Sequence, residues 1–99
     1  MGVVVVNKVS AVDLNYFGDY IIIDIRSNYK YNIEHIPNSI NIDSIELISN
    51  PDKYLSKDKK YYIYCQTGHT SKMIVNKLNN LGYNTVNVDG GYNLYKVKH

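Results

Sequence analysis

The spacing of apolar residues changes character near the middle of the chain. Residues 60–65 form a short run of Tyr and Ile that ends on a cysteine, a composition suited to a buried sheet strand. From Thr70 onward, Ile74, Val75, Leu78 and Leu81 fall at helical spacing, while Lys72, Asn76, Lys77, Asn79 and Asn80 take the other faces. Gly82 stands where a left-handed cap ends such a helix. Between strand and helix lies Gln66-Thr67-Gly68-His69-Thr70, whose glycine permits a sharp turn. The pattern predicts strand, tight loop, helix, with the loop as the candidate site.

The rest of the chain repeats this alternation. Residues 3–6 read as a first strand and residues 10–17 as a short helix, with Ser10 and Asp13 as a capping pair, Val9 and Leu14 spaced as a hydrophobic staple, and Gly18-Asp19 at its end. Residues 20–25 are a continuous apolar run, typical of a parallel strand covered on both faces, from whose C-terminal end Asp24 and Arg26 emerge. Residues 28–33 allow one helical turn, and the stretch before Pro37 must be extended, because the residue preceding proline avoids the helical region. A short strand at 39–42 precedes a helix to Ser49 capped by Asp43 and Glu46. Asn50-Pro51 then reads as a cap and N1 proline opening a further helix to Leu55. After a turn at Asp58-Lys59 come the cysteine strand and its helix, a last strand at 84–88, a break at Gly90-Gly91 and a helix at 92–98. Strands alternating with helices predict an α/β fold: a central parallel sheet with helices on both faces and its site at the C-terminal ends of the strands.

Length limits the architecture to one domain, residues 1–99, and to one core. No apolar run reaches the roughly 18 residues that a membrane span requires, and residues 3–6 are too short for a signal peptide, so a cytoplasmic location is expected. The net charge of +2 is mild and the lysines are dispersed, which argues against a nucleic-acid surface. Eleven tyrosines raise the possibility of base stacking, but most sit in strand-like runs or beside apolar residues, where core roles predominate. One cysteine can form no internal disulfide, and a reducing compartment suits a reactive thiol.

Cys65 is placed at the start of a helix, where the first N–H groups have no intrahelical partner and the dipole favours negative charge. A loop of N–H groups around the sulfur would lower its pKa and make it nucleophilic. The structural alternative is a small buried hydrophobe at the end of a core strand. His69 is four residues away and could serve as a general base, although loop histidines are commonly solvated. A zinc site would need three or four ligands, and no Cys-x-x-Cys pair or second close histidine is present, so no metal is expected.

The loop Cys65-Gln66-Thr67-Gly68-His69-Thr70-Ser71 resembles the active-site loop of rhodanese-type sulfurtransferases, in which a cysteine opens a six-residue turn and carries a persulfide. Upstream, Ile23-Asp24-Ile25-Arg26, Tyr31, His35-Ile36-Pro37 and Ser39-Ile40-Asn41-Ile42 are similar to the family's N-terminal signature. Leu81-Gly82-Tyr83 and Asp89-Gly90-Gly91 resemble its last strand and glycine turn. The resemblance implies a rhodanese-like fold with a central five-stranded parallel sheet, and a covalent persulfide on Cys65 rather than a separate cofactor. Gln66 to Ser71 would bind the persulfide. The implied partners are a small sulfur donor or a persulfide-bearing protein, with neither nucleic acid nor membrane, and the chain is expected to be a monomer or weak dimer.

Two departures bear on activity. The family's loop arginine is replaced by Thr70, so weak thiosulfate turnover is expected, with Lys72 as the candidate substitute cation. Asp24, Arg26 and His35 correspond to the family's structural positions and are auxiliary candidates, while Glu34 and Asn38 stand where many relatives have glycines. Cysteine phosphatases use the same kind of thiolate cradle, but their loops are one residue longer and end in arginine, where this chain has Ser71. A non-enzymatic binding or sulfur-carrier module is the other alternative.

Overall fold

The computed structural model describes residues 8–16 and 20–99. Five strands form one sheet: β1 (Lys8–Ser10), β2 (Ile21–Asp24), β3 (Ile40–Asn41), β4 (Lys60–Tyr64) and β5 (Asn84–Asp89). Their order is β1-β5-β4-β2-β3 and every neighbouring pair is parallel, so β4 is central and flanked by β2. The helices are α1 (Asn28–Ile33), α2 (Ser44–Ser49), α3 (Pro51–Tyr54), α4 (His69–Asn80) and α5 (Gly91–Lys98). The expected strand at residues 3–6 and the turn at Gly18-Asp19 lie outside the described residues.

Alternation along the strands divides the core into two layers. Ile22, Tyr62, Tyr64, Val86 and Val88 pack with Leu14, Tyr92 and Tyr95, which belong to the segment after β1 and to α5. Ile23, Ile63 and Cys65 pack with Leu47, Leu55, Val75 and Leu78 beneath α2, α3 and α4. A fully buried leucine such as Leu78 contributes about 2–5 kcal/mol relative to alanine. Tyr64 and Cys65, adjacent in sequence, therefore face opposite layers.

Several local expectations change in detail. The segment read as a helix over 10–17 is a 3-10 helix at Ala11–Tyr16, and Ser10 ends β1 while its Oγ accepts from the Val12 N–H at 3.3 Å. The three-residue repeat of a 3-10 helix sets Ala11 and Leu14 one above the other, and both are buried in the core. Asp43 caps α2 as expected, accepting from the Ile45 and Glu46 N–H groups at 3.1 Å. Asn50, read as the cap of α3, makes no side-chain cap bond; its amide turns back to Glu46 Oε1 at 3.3 Å. At the end of α4 the Gly82 N–H bonds the Asn79 carbonyl and the Tyr83 N–H bonds that of Leu78, with Gly82 at φ +94°. This is the paired bonding of a left-handed helix terminus. Asn38 is also left-handed, at φ +68°, a conformation that asparagine tolerates better than most side chains.

Candidate active site

Cys65 leaves the C-terminal end of β4 and is 7% exposed. The chain then turns through Gly68, at φ +98°, into α4. Gly68 is the N-cap and supplies no side-chain cap, so the first N–H groups of α4 lack the usual Ser, Thr or Asp partner. The sulfur takes that place. Cys65 Sγ accepts from the Gly68 N–H at 3.1 Å and the Ser71 N–H at 3.4 Å, and lies 3.3 Å from Ser71 Oγ. Burial alone would push the thiol up; the Ser71 hydroxyl and the N–H groups of Ser71, Gly68 and Thr67 outweigh it and hold Cys65 below the ordinary thiol value. The loop is thus built to receive negative charge on sulfur.

Thr67, His69 and Thr70 are exposed, Gln66 is half-buried and Ser71 is buried. Among the described residues, the His69 imidazole makes no hydrogen bond to Cys65. Thr70 lines an apolar groove of about 230 Å³ between α2 and α4 with Ile45, Ile48, Met73 and Ile74. On the other side of the loop, Gln66 lines a cavity of about 370 Å³ with Arg26, Lys30, Ile33, Glu34 and Tyr92. Lys72 lies along a third, smaller cavity with Lys8, Asn76, Asn87 and Asp89, between α4 and the β1–β5 edge. Its side chain therefore lies away from the groove that Thr70 lines.

Asp24 is in register with Tyr64, which places its carboxylate in the layer opposite Cys65. There it accepts from the Tyr64 hydroxyl and from Arg26 Nε and Nη2, the last at 2.8 Å. Burial, with Asp24 accepting its hydroxyl, pushes the Tyr64 pKa far above its ordinary value. Arg26 also donates to the Glu34 carbonyl at 2.7 Å and stacks over Tyr92 at 4.4 Å, and its Nη1 reaches Gln66 Oε1 at 3.1 Å. Of the auxiliary candidates, Arg26 touches the loop. His35 bonds the Tyr31 carbonyl through Nδ1 at 2.7 Å and stacks on the Tyr31 ring, which orders the segment before Pro37.

Sequence reasoning missed Tyr64 and Asn93. Tyr64 also accepts from the Ile36 N–H at 3.1 Å and lies 3.2 Å from Ser39 Oγ, so it ties three segments together. Its position one residue before Cys65 in a buried strand was the available signal. Asn93 accepts from Gln66 Nε2, and nothing in the local pattern of α5 marks that contact.

Among the described residues no three His, Cys, Asp or Glu side chains converge, and no helix is long and apolar enough to cross a membrane. A strand–loop–helix wrapped around a cysteine, at the C-terminal end of the central strand of a five-stranded parallel sheet, defines the class of protein. A sequence model described as the Rhodanese-like domain matches residues 11–98, and the chain belongs to that family. It is similar to a rhodanese-related protein from Thermoplasma volcanium, with a TM-score of 0.84 and 34% identity over 93% of this chain and 92% of that one. It is 29% identical to the thiosulfate sulfurtransferase GlpE of Coxiella burnetii, over 82% of this chain and 76% of that protein. It is 37% identical, over 71% of its own length, to the adenylyltransferase and sulfurtransferase uba4 of Ogataea parapolymorpha, of which it spans 18%. The chain thus spans under a fifth of the length of the first of these sulfurtransferase-named relatives, uba4 and the tRNA sulfurtransferase of Desulfurococcus amylolyticus.

Proposed function

We propose that the chain transfers sulfane sulfur through a persulfide on Cys65. The observation that carries this reading is the sulfur itself, which accepts from the Gly68 and Ser71 N–H groups at the head of α4. The Cys65 thiolate attacks the outer sulfur of a donor, and the donor's S–S bond breaks with its electron pair leaving on sulfite or on a donor thiolate. The Cys65 persulfide is then held by the same N–H groups. A thiolate or cyanide acceptor attacks the terminal sulfur, leaving as a persulfide or thiocyanate and returning the Cys65 thiolate. No separate cofactor is needed, and the setting is a reducing, cytoplasmic one.

The surroundings of the loop favour a donor carried on a thiol over dianionic thiosulfate. Thr70 brings no cation, and it opens onto a groove in which Ile45 and Met73 are 75% and 65% exposed. Phosphate-ester hydrolysis is disfavoured for the same reason, since no guanidinium stands at position 70 or 71 to grip a dianion, and that of Arg26 is engaged by Asp24, the Glu34 carbonyl and Gln66. Mass spectrometry of the purified protein after treatment with thiosulfate or with a low-molecular-weight persulfide tests the reading. One added sulfur, absent in Cys65→Ser, is expected. Failure to detect it with either donor would leave a binding module, and hydrolysis of an aryl phosphate that is lost in Cys65→Ser would indicate a phosphatase.

A further inference from the structure

The sulfur-facing side of the loop is matched by an equally specific set of contacts behind it. Like α4, α5 begins on a glycine that supplies no side-chain cap, Gly90 at φ +87°. Its free N–H groups are taken up by the loop: the Tyr92 N–H donates to the Cys65 carbonyl at 2.9 Å and the Asn93 N–H to the Gln66 carbonyl at 3.0 Å. From β5, Asn87 Nδ2 donates to the Gly68 carbonyl at 3.3 Å. Three of the loop's carbonyls are thus held from the β5–α5 side.

In a trans peptide the C=O and the following N–H point in opposite directions, so holding a carbonyl aims the next N–H. The Gln66 carbonyl held by Asn93 turns the Thr67 N–H the other way, and that N–H is one of the groups stabilising the Cys65 thiolate. Such contact requires close approach. A β-carbon at Gly91, where φ is +60°, would stand 2.5 Å from the Cys65 oxygen and 2.7 Å from the Gln66 oxygen; one at Gly68 would stand 3.0 Å from the Gly90 nitrogen. Gly68 and Gly90-Gly91 are a mutually fitted pair of surfaces.

We propose that the β5–α5 corner is a back plate that sets the peptide planes of the loop: Gly91 and the Asn93 N–H aim the Thr67 N–H, the Tyr92 N–H anchors the Cys65 peptide, and Asn87 fixes Gly68, whose own N–H bonds the Cys65 sulfur. Gly91, Asn87, Tyr92 and Asn93 are positioning residues; none touches the sulfur. The proposal deepens the reading of Cys65 as the nucleophile, and it makes the first turn of α5 part of the site.

The test is the pH dependence of iodoacetamide alkylation of Cys65 in the full chain, for wild type, Gly91→Ala and Asn87→Ala, with thermal melting of each. Alkylation reads the thiol without any sulfur donor, so its outcome is separate from that of the sulfur-transfer assay. Both variants are expected to move the alkylation midpoint upward, Gly91→Ala by about one pH unit, the scale of one lost hydrogen bond to a charged group. Ile22→Ala, a core change in the layer opposite Cys65, is expected to lower the melting temperature with the midpoint unmoved. If Gly91→Ala does not fold, Asn87→Ala decides alone. A wild-type midpoint in the folded variants, whatever their melting temperatures, would overturn the proposal and leave the corner a purely structural contact.

Discussion

The Tyr64 hydroxyl and the Asp24 carboxylate meet across β4 and β2 in a hydrogen bond buried from solvent. The same oxygen of Tyr64 accepts from the Ile36 N–H, so one phenol joins the sheet to the segment before Pro37. In Tyr64→Phe this N–H and one carboxylate oxygen each lose a buried partner. The expected cost is about 1–3 kcal/mol, or roughly 4–8 °C of melting temperature per kcal/mol in a domain of this size. Melting followed by circular dichroism checks it, and a variant that melts with wild type would show that the network carries no stability.

Arg26 illustrates why lysine does not replace arginine. Its guanidinium bonds Asp24 twice, the Glu34 carbonyl and Gln66 at once, over the face of Tyr92. Lysine can satisfy few of these acceptors from one point, so Arg26→Lys is expected to destabilise measurably. Arg26→Met, which leaves Asp24 buried without its cation, should cost about 3–5 kcal/mol. Urea unfolding midpoints distinguish the three proteins; a ranking with Arg26→Lys equal to wild type would mean that the fork geometry is idle.

The two-layer architecture was largely legible, because strand composition, helical spacing and cap residues each act over a few neighbouring positions. The run at 20–25 and the spacing of Ile74, Val75, Leu78 and Leu81 report directly which side of an element is dry. The placement of Cys65 at a helix start was legible for the same reason. The back of the site was not. Gly68 and Gly90 are 22 positions apart in sequence, and each alone reads as a turn; the close approach between them depends on β4 and β5 being neighbours. Asn93 and Tyr64 were similarly hidden, since their partners Gln66 and Asp24 are brought close by the sheet register.

The lowered Cys65 pKa makes stability depend on pH with a definite sign. Burial acts to raise it, but the Ser71 hydroxyl and the loop N–H groups prevail, so the unfolded chain binds the thiol proton at pH values where the folded one has released it. Between the folded-state value and the ordinary thiol value of 9.0, stability should therefore rise with pH relative to Cys65→Ser. As pH falls through the folded-state value this contribution is lost. Unfolding midpoints of the two proteins measured across the window check it, and a constant difference between them would show that the loop does not favour the thiolate.

Ser71 supplies both a hydroxyl and an N–H to the sulfur, and the two can be separated. Ser71→Ala keeps the N–H and removes the hydroxyl. Alkylation of Cys65 should then require higher pH than in wild type, by roughly half to one pH unit for one lost hydrogen bond, while Cys65→Ser is expected to abolish sulfur transfer and keep the fold. An unmoved alkylation profile in Ser71→Ala would assign the activation to the backbone alone.

The proposed preference for a thiol-borne donor rests on Thr70. It lies in the first turn of α4, exposed, with its side chain on the groove shared with Ile45, Ile48 and Met73, so an arginine there has room to extend without entering the core. A charged residue of this sign near a helix N-terminus should cost about 0.3–1 kcal/mol of stability. Against a dianion the new guanidinium should supply about 1.5–3 kcal/mol, and 1.4 kcal/mol is a tenfold change, so kcat/KM for thiosulfate should rise roughly ten- to a hundredfold in Thr70→Arg. A neutral thiol-borne donor should change little, because only the charged substrate interacts strongly with the added cation. Lys72 is placed beside Asn87 and Asp89 rather than on this groove, so it should not already supply the charge. The ratio of kcat/KM for the two donors in wild type and Thr70→Arg measures this directly. A ratio that does not move would mean that the donor approaches from the Gln66 side of the loop, where Arg26 and Lys30 line the larger cavity.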